Sequence, residues 1–169
     1  MSAVLVVCTA NVFRSPLVAG LLTARISGST FTSAGLRARP GEPMAAPART
    51  ALGLDGFRSR QLTADLVDAA DAVITMTWAE LSETARLSPR ALPKAVTLGE
   101  LARAAAARAS GGFATLVADA VRDRGLAHVE EVPDPRDANA RRLEDTTARI
   151  TRLVDVVAET VTADAAGAR

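Results

Sequence analysis

The sequence has one cysteine, one histidine, one tryptophan, four phenylalanines and no tyrosine in 169 residues. A single cysteine, Cys8, excludes an internal disulfide framework and a cysteine-based zinc site. A single histidine, His128, excludes a multi-histidine metal site and leaves no spare imidazole for most Ser–His–Asp schemes. Charge of one sign is also lacking: 20 Lys plus Arg face 19 Asp plus Glu, for a net +1. That balance gives no electrostatic reason to expect a nucleic acid or an anionic membrane as partner. Only Lys94 is a lysine among the cations, which together with the abundance of alanine reads as codon bias rather than function. No run approaches the roughly 18 apolar residues of a transmembrane helix, so no membrane insertion is expected. The start, MSAVLVVCTA, lacks the basic leader of a signal peptide. Cytoplasm is the expected location, where a lone thiol stays reduced.

What is present is a hydrophobic fraction of 49% in a length that suits a single domain, 1–169. Residues 3–8, AVLVVC, are continuously apolar and β-branched, the pattern of a strand buried on both faces. Further strands are expected at 30–34, 72–76 and 95–98. A helix follows 9–14, with Ser15 as a cap, Pro16 in its first turn, and Leu17, Leu21 and Leu22 as its apolar stripe. Other helices are expected near 47–53, at 78–87, as two pieces within 100–127, and over 138–162, with a frayed tail at 163–169. Pro133 and Pro135 keep 129–137 out of any helix. Strands alternating with helices argue for a parallel α/β sheet with right-handed crossovers.

Chemistry concentrates in Cys8-Thr9-Ala10-Asn11-Val12-Phe13-Arg14-Ser15-Pro16. A thiol ends a buried strand, and an arginine opens the helix beyond it. Ligands in open α/β sheets gather at the carboxyl ends of strands. A loop there can turn its amides inward as an anion nest. The amides of Thr9, Ala10, Asn11, Val12, Phe13 and Arg14 would surround a tetrahedral oxyanion, and the Arg14 guanidinium would add a bidentate contact. Cys8 would lie at the bottom, where helix dipole, amides and Arg14 are expected to lower its pKa from about 8.5 by several units. A lone cysteine at a strand end is otherwise often just a small buried hydrophobe; here its context favours a nucleophile. Asp134-Pro135 supplies a second element, since breaking a phosphate ester benefits from an acid that protonates the leaving oxygen.

With these residues the sequence resembles the low-molecular-weight protein tyrosine phosphatase family, bacterial branch, particularly members paired with tyrosine kinases of polysaccharide export. VLVVCTANVFRSP matches that family's signature at Cys8, Asn11, Arg14, Ser15 and Pro16. Ser33-Ala34-Gly35, Ser59-Arg60-Gln61-Leu62, VITMTWAEL and VPDP match further segments in the same order. The resemblance implies a four-stranded parallel sheet of order 2-1-3-4 with helices on both faces and a Cys-x5-Arg loop after strand 1. It implies that Cys8 forms a cysteinyl-phosphate, that Arg14 and the loop amides bind the phosphoryl oxygens, and that Ser15 steadies the Cys8 sulfur. Asn11 would hold the loop shape, and Asp134 would act as general acid and then base. No metal or other cofactor is implied. The expected partners are a phosphotyrosine protein substrate and a bacterial tyrosine kinase, with the chain a monomer or weak dimer.

The sequence departs from the family pattern in four places. Phe13 replaces a second loop cysteine, and Ala10 replaces a loop glycine, which matters only if that backbone needs positive φ. Arg136 follows Asp134-Pro135 where an aromatic is usual. Residues 99–130 form an insertion or extended segment, expected to decorate the surface. Leu36, Arg37 and Arg136 are candidates for the substrate wall. Three alternatives stay open beside hydrolysis of aryl phosphomonoesters. They are a phosphatase acting on a small phosphorylated metabolite, an arsenate reductase using an external thiol, and a phosphate-binding pseudoenzyme. His128 reads as a surface residue, Trp78 as packing, Asp65, Asp68 and Asp71 as a solvated helix face, and Glu130 and Glu131 as not facing the loop.

Overall fold

The computed structural model describes residues 2–53, 55–108, 110–125, 128–135 and 140–167, with side chains to Thr162. Four strands, β1 (Ser2–Cys8), β2 (Ser29–Gly35), β3 (Ala72–Thr75) and β4 (Ala95–Thr97), form one parallel sheet in the order β2-β1-β3-β4. Around them lie α1 (Arg14–Arg25), α2 (Ala46–Leu52), α3 (Ala64–Ala69), α4 (Trp78–Leu87), α5 (Leu98–Ala106), α6 (Phe113–Arg122) and α7 (Ala140–Gly167). The expected sheet and its order are therefore present, with α3 in addition.

The apolar run of β1 has a direct packing reason. Val4, Val6 and Cys8 point into one core with Ile74 and Val96 beneath α1, α5, α6 and α7. Leu5 and Val7 point the other way, into a second core with Val67, Val73 and Leu81 from the α3 and α4 side. A strand covered on both faces has no use for alternation. The central register pairs Cys8 with Gly35 and Val7 with Thr75, so three strands end together at one edge. That edge carries the loop 9–13.

Two expectations change. Residues 99–130 are not surface decoration: Leu101, Ala105, Phe113, Leu116 and Ala120 are buried in the same core as β1. Alanine-rich composition hid an amphipathic pattern whose small residues allow close helix packing. Phe113 meets Phe31 of β2 edge to face, with ring centroids 5.6 Å apart. Helix α7 begins at Ala140 and runs to Gly167, past the expected end at 162. Among the described residues, no helix is long and apolar enough to cross a membrane.

Candidate functional site

The loop between β1 and α1 is shaped by Asn11. It has φ 57°, the one positive φ outside glycine among the described residues. Asparagine tolerates this region better than most residues. Its side chain then ties four segments together. The amide donates to Ser15 Oγ at 2.9 Å and to Ser33 Oγ at 2.8 Å, and its oxygen accepts from the Arg60 N–H at 2.9 Å. Its own backbone N–H donates to Cys8 Sγ at 3.3 Å. Ala10 lies outside the left-handed region, so the missing loop glycine carries no strain.

Ser15 does not cap α1. The capping position is Phe13, without a side-chain bond, and Ser15 sits inside the first turn. Its hydroxyl lies 3.0 Å from Cys8 Sγ. Because Asn11 donates to the Ser15 oxygen, the single Ser15 proton is free to point at sulfur. The hydroxyl is spent on the thiol rather than on the helix end. Phe13 is buried in the main core, and Val12 O accepts from the Ala45 N–H at 2.7 Å.

The segment Ser59-Arg60-Gln61-Leu62 braces this loop from behind. Gly35 N–H donates to Arg60 O at 3.0 Å, and Leu62 N–H donates to Gly35 O at 2.7 Å. Gly35 must be glycine for space. A Cβ there would lie 2.8 Å from Thr9 O and 2.9 Å from the Asn11 Cβ. Gly35→Ala is expected to destabilise by about 1–3 kcal/mol through overpacking and to lower kcat/KM by distorting the loop. A denaturant midpoint and kcat/KM both at the wild-type values would contradict this.

Arg14 is 2% exposed. One terminal nitrogen donates to Val132 O at 3.1 Å and lies 3.0 Å from Glu80 Oε1. The other donates to Thr9 Oγ1 at 3.2 Å and lies 2.9 Å from Asp134 Oδ2. Asp134 is thus brought to the Cys8 loop from more than a hundred residues away, and its side chain remains 30% exposed. Its arm is pinned at several points. Val132 N–H donates to Met76 O at 3.0 Å, and the Trp78 N–H donates to Glu131 at 2.6 Å. Gly99 lies so close beneath Glu130 that a Cβ there would overlap its carbonyl oxygen.

Burial pushes the Cys8 thiol above its ordinary pKa, and this outweighs the opposing effects of Arg14 and of the Ser15 hydroxyl and amide. Glu80 raises it further. The shift is therefore opposite in direction to the lowering expected from the sequence. The reason is chiefly burial of the sulfur at the end of β1, with the Glu80 charge adding a smaller contribution in the same direction.

Leu36 and Arg37 run alongside the loop, with their N–H groups donating to Cys8 O at 3.0 Å and Thr9 O at 2.7 Å. Leu36 packs inward against the second core. The Arg37 side chain pairs with Glu83 at 2.8 Å and is 62% exposed. Arg136 lies outside the described residues. His128 is exposed, Trp78 packs under Arg124 at 5.5 Å, and Glu130 pairs with Arg149 and Arg152. Asp68 and Asp71 are tied down rather than merely solvated, Asp68 by Ser88 and Arg90 and Asp71 by the Ala3 N–H. Among the described residues, no group of three or more His, Cys, Asp or Glu could hold a metal ion.

Comparison with known proteins bears on this geometry. The sequence profile of the family described as "Low molecular weight phosphotyrosine protein phosphatase" matches residues 3–111. The chain belongs to this family. It is 33% identical over 106 residues to the probable low molecular weight protein-tyrosine-phosphatase EpsP of Ralstonia nicotianae, covering 60% of this chain and 73% of that protein. It is 30% identical over 104 residues to the low molecular weight protein-tyrosine-phosphatase Etp of Escherichia coli, covering 59% and 70%. Among solved structures, the tyrosine phosphatase Wzb from Escherichia coli K30 superposes with a TM-score of 0.73 at 22% identity, covering 94% of this chain and 98% of that one. The arginine phosphatase YwlE from Geobacillus stearothermophilus also gives 0.73, at 24% identity, covering 94% and 92%. The fold is thus that of the low molecular weight phosphatases. The matched stretch ends before Asp134, so the place of that residue in the site comes from geometry.

Sequence reasoning missed Glu80, which bridges Arg14 and Thr9. Its only signal was Thr77-x-x-Glu80, a capping pattern at the start of α4.

Proposed function

We propose that the chain is a cysteine-dependent phosphomonoesterase acting on phosphotyrosine proteins. The observation that carries this is the meeting of two distant segments on one guanidinium. Cys8 lies in the loop that Arg14 closes, and Asp134 lies 2.9 Å from Arg14. Incoming phosphate takes the Arg14 N–H that Asp134 now holds, which frees the carboxyl group for the leaving oxygen. The Cys8 thiolate attacks phosphorus, the bond from phosphorus to the aryl oxygen breaks, and protonated Asp134 gives that oxygen its proton. Arg14 and the loop amides of Thr9 to Arg14 stabilise the charge on the three equatorial oxygens. Ser15 donates to the sulfur 3.0 Å away, which favours thiolate both as nucleophile and as leaving group. In the second step Asp134 takes a proton from water, the water oxygen bonds to phosphorus, and the sulfur–phosphorus bond breaks.

The choice of phosphotyrosine is supported by EpsP and Etp, which are named as tyrosine phosphatases. The fold does not make that choice, since a tyrosine phosphatase and an arginine phosphatase share it. On this reading Arg37, exposed beside the loop, borders the bound substrate. A tyrosine kinase is among the partners, the chain is a monomer or weak dimer, and it works in the cytoplasm.

Asp134→Asn is expected to slow turnover by about 10²–10⁴-fold on substrates with poor leaving groups. The loss shrinks as the leaving group becomes more acidic. The check is log kcat against leaving-group pKa for a series of aryl phosphates. A variant equally fast on the least acidic phenols would contradict the assignment of Asp134.

A further inference from the structure

An arginine side chain has many rotatable bonds, and a guanidinium that must reorient during reaction forfeits part of its value as an electrostatic stabiliser. We propose that Glu80 is a positioning residue, which together with Thr9 clamps the back of Arg14 and fixes the guanidinium plane before phosphate arrives. This rests on the phosphatase reading above.

The clamp is a closed ring. Arg14 lies 3.0 Å from Glu80 Oε1 through one terminal nitrogen. The Thr9 hydroxyl donates to that same oxygen at 2.9 Å and accepts from the other terminal nitrogen at 3.2 Å. Both ends of the guanidinium are thereby held by one oxygen and one hydroxyl. The carboxylate is itself fixed. Its second oxygen accepts from the Met76 N–H at 3.2 Å and from the Thr77 hydroxyl at 3.3 Å. Glu80 is 5% exposed, so no water competes strongly for these bonds.

The arrangement has a cost that identifies it. A carboxylate next to a phosphate site opposes the charge of the substrate, and Glu80 also disfavours ionisation of Cys8. A residue present only to fill space would not need the charge. Glutamine in its place can offer one oxygen to Arg14 and Thr9, but it then turns its amide N–H toward the Met76 N–H, donor against donor. One end of the clamp must open.

The test compares wild type with Glu80→Gln and Thr9→Val. For Glu80→Gln, kcat on an aryl phosphate is expected to fall about tenfold or more, with KM changing much less. Inhibition by orthovanadate, a five-coordinate phosphate mimic, should weaken in step with kcat. At the same time the pH midpoint of Cys8 alkylation by iodoacetamide should move down, because a repulsive charge has gone. Slower turnover with a more readily ionised thiol is a pairing that general loosening of the fold does not produce. For Thr9→Val, kcat should fall by a smaller factor with no downward shift of the thiol midpoint. Wild-type kcat in Glu80→Gln, or an unshifted alkylation profile, would overturn the proposal. If Glu80→Gln does not fold, wild-type kcat in Thr9→Val overturns it instead. An inactive wild type would refute the phosphatase reading, whereas the alkylation profiles would still report on Glu80.

Discussion

Cys8→Ser is expected to abolish turnover, by about 10⁴-fold or more, while the protein still folds and binds phosphate. A serine hydroxyl keeps its proton at neutral pH unless a general base removes it. The Ser15 hydroxyl lies 3.0 Å from that position and the Asn11 N–H donates to it, and neither group is a base. The substitution exchanges sulfur for the smaller oxygen at a buried position, so little else should change. Thermal unfolding near the wild-type temperature and retained binding of inorganic phosphate would show that chemistry alone was lost. Measurable Cys8→Ser turnover at the wild-type pH optimum would contradict the nucleophile assignment.

The second large effect is expected for Arg14→Lys. The guanidinium serves Val132 O, Glu80, Thr9 and Asp134 through its two terminal nitrogens. A lysine ammonium is a single point with three donors, and it cannot stay bonded to Glu80, Thr9 and Val132 O while also holding phosphoryl oxygens. Positive charge is preserved, so phosphate is still attracted. What is lost is the bidentate geometry that stabilises the three equatorial oxygens in the transition state. The expected fall in kcat is about 10²–10³-fold, or roughly 2.7–4 kcal/mol, with a smaller rise in KM. A loss of less than about tenfold in kcat would show that charge, and not geometry, is what Arg14 contributes.

The parts of this site that were legible in sequence are those whose chemistry is local. The β1 run could be read because a strand covered on both faces must be apolar throughout, and Val4 to Cys8 are. Asn11 could be read because few residues accept φ 57°. Ser15 looked like a helix cap because serine usually is one. The family resemblance already tied its hydroxyl to the Cys8 sulfur, and the fold adds that Asn11 claims the same oxygen and that the helix end does without it. Glu80 was hidden for a similar reason. Thr77-x-x-Glu80 and Thr97-x-x-Glu100 are the same pattern at the starts of α4 and α5. One glutamate meets Arg14 at 3.0 Å, and the other lies 3.5 Å from Arg124. Sequence shows the cap but not what stands opposite it. The direction of the Cys8 shift differs from the sequence reading because that reading weighed Arg14, the helix dipole and the amides but not the burial of the sulfur, which outweighs the guanidinium and the Ser15 donors. The segment 99–130 was misread because a run of alanines looks featureless until α5 and α6 close on the core.

The most direct test of the central claim is acid quenching of the enzyme during turnover of a phosphotyrosine peptide, followed by mass spectrometry of the peptide that contains residue 8. The account predicts phosphate on Cys8 in the wild type, a higher steady level in Asp134→Asn with an activated aryl phosphate, and none in Cys8→Ser, which also releases no phosphate. Steady release of phosphate with no label on Cys8, undiminished in Cys8→Ser, would contradict it.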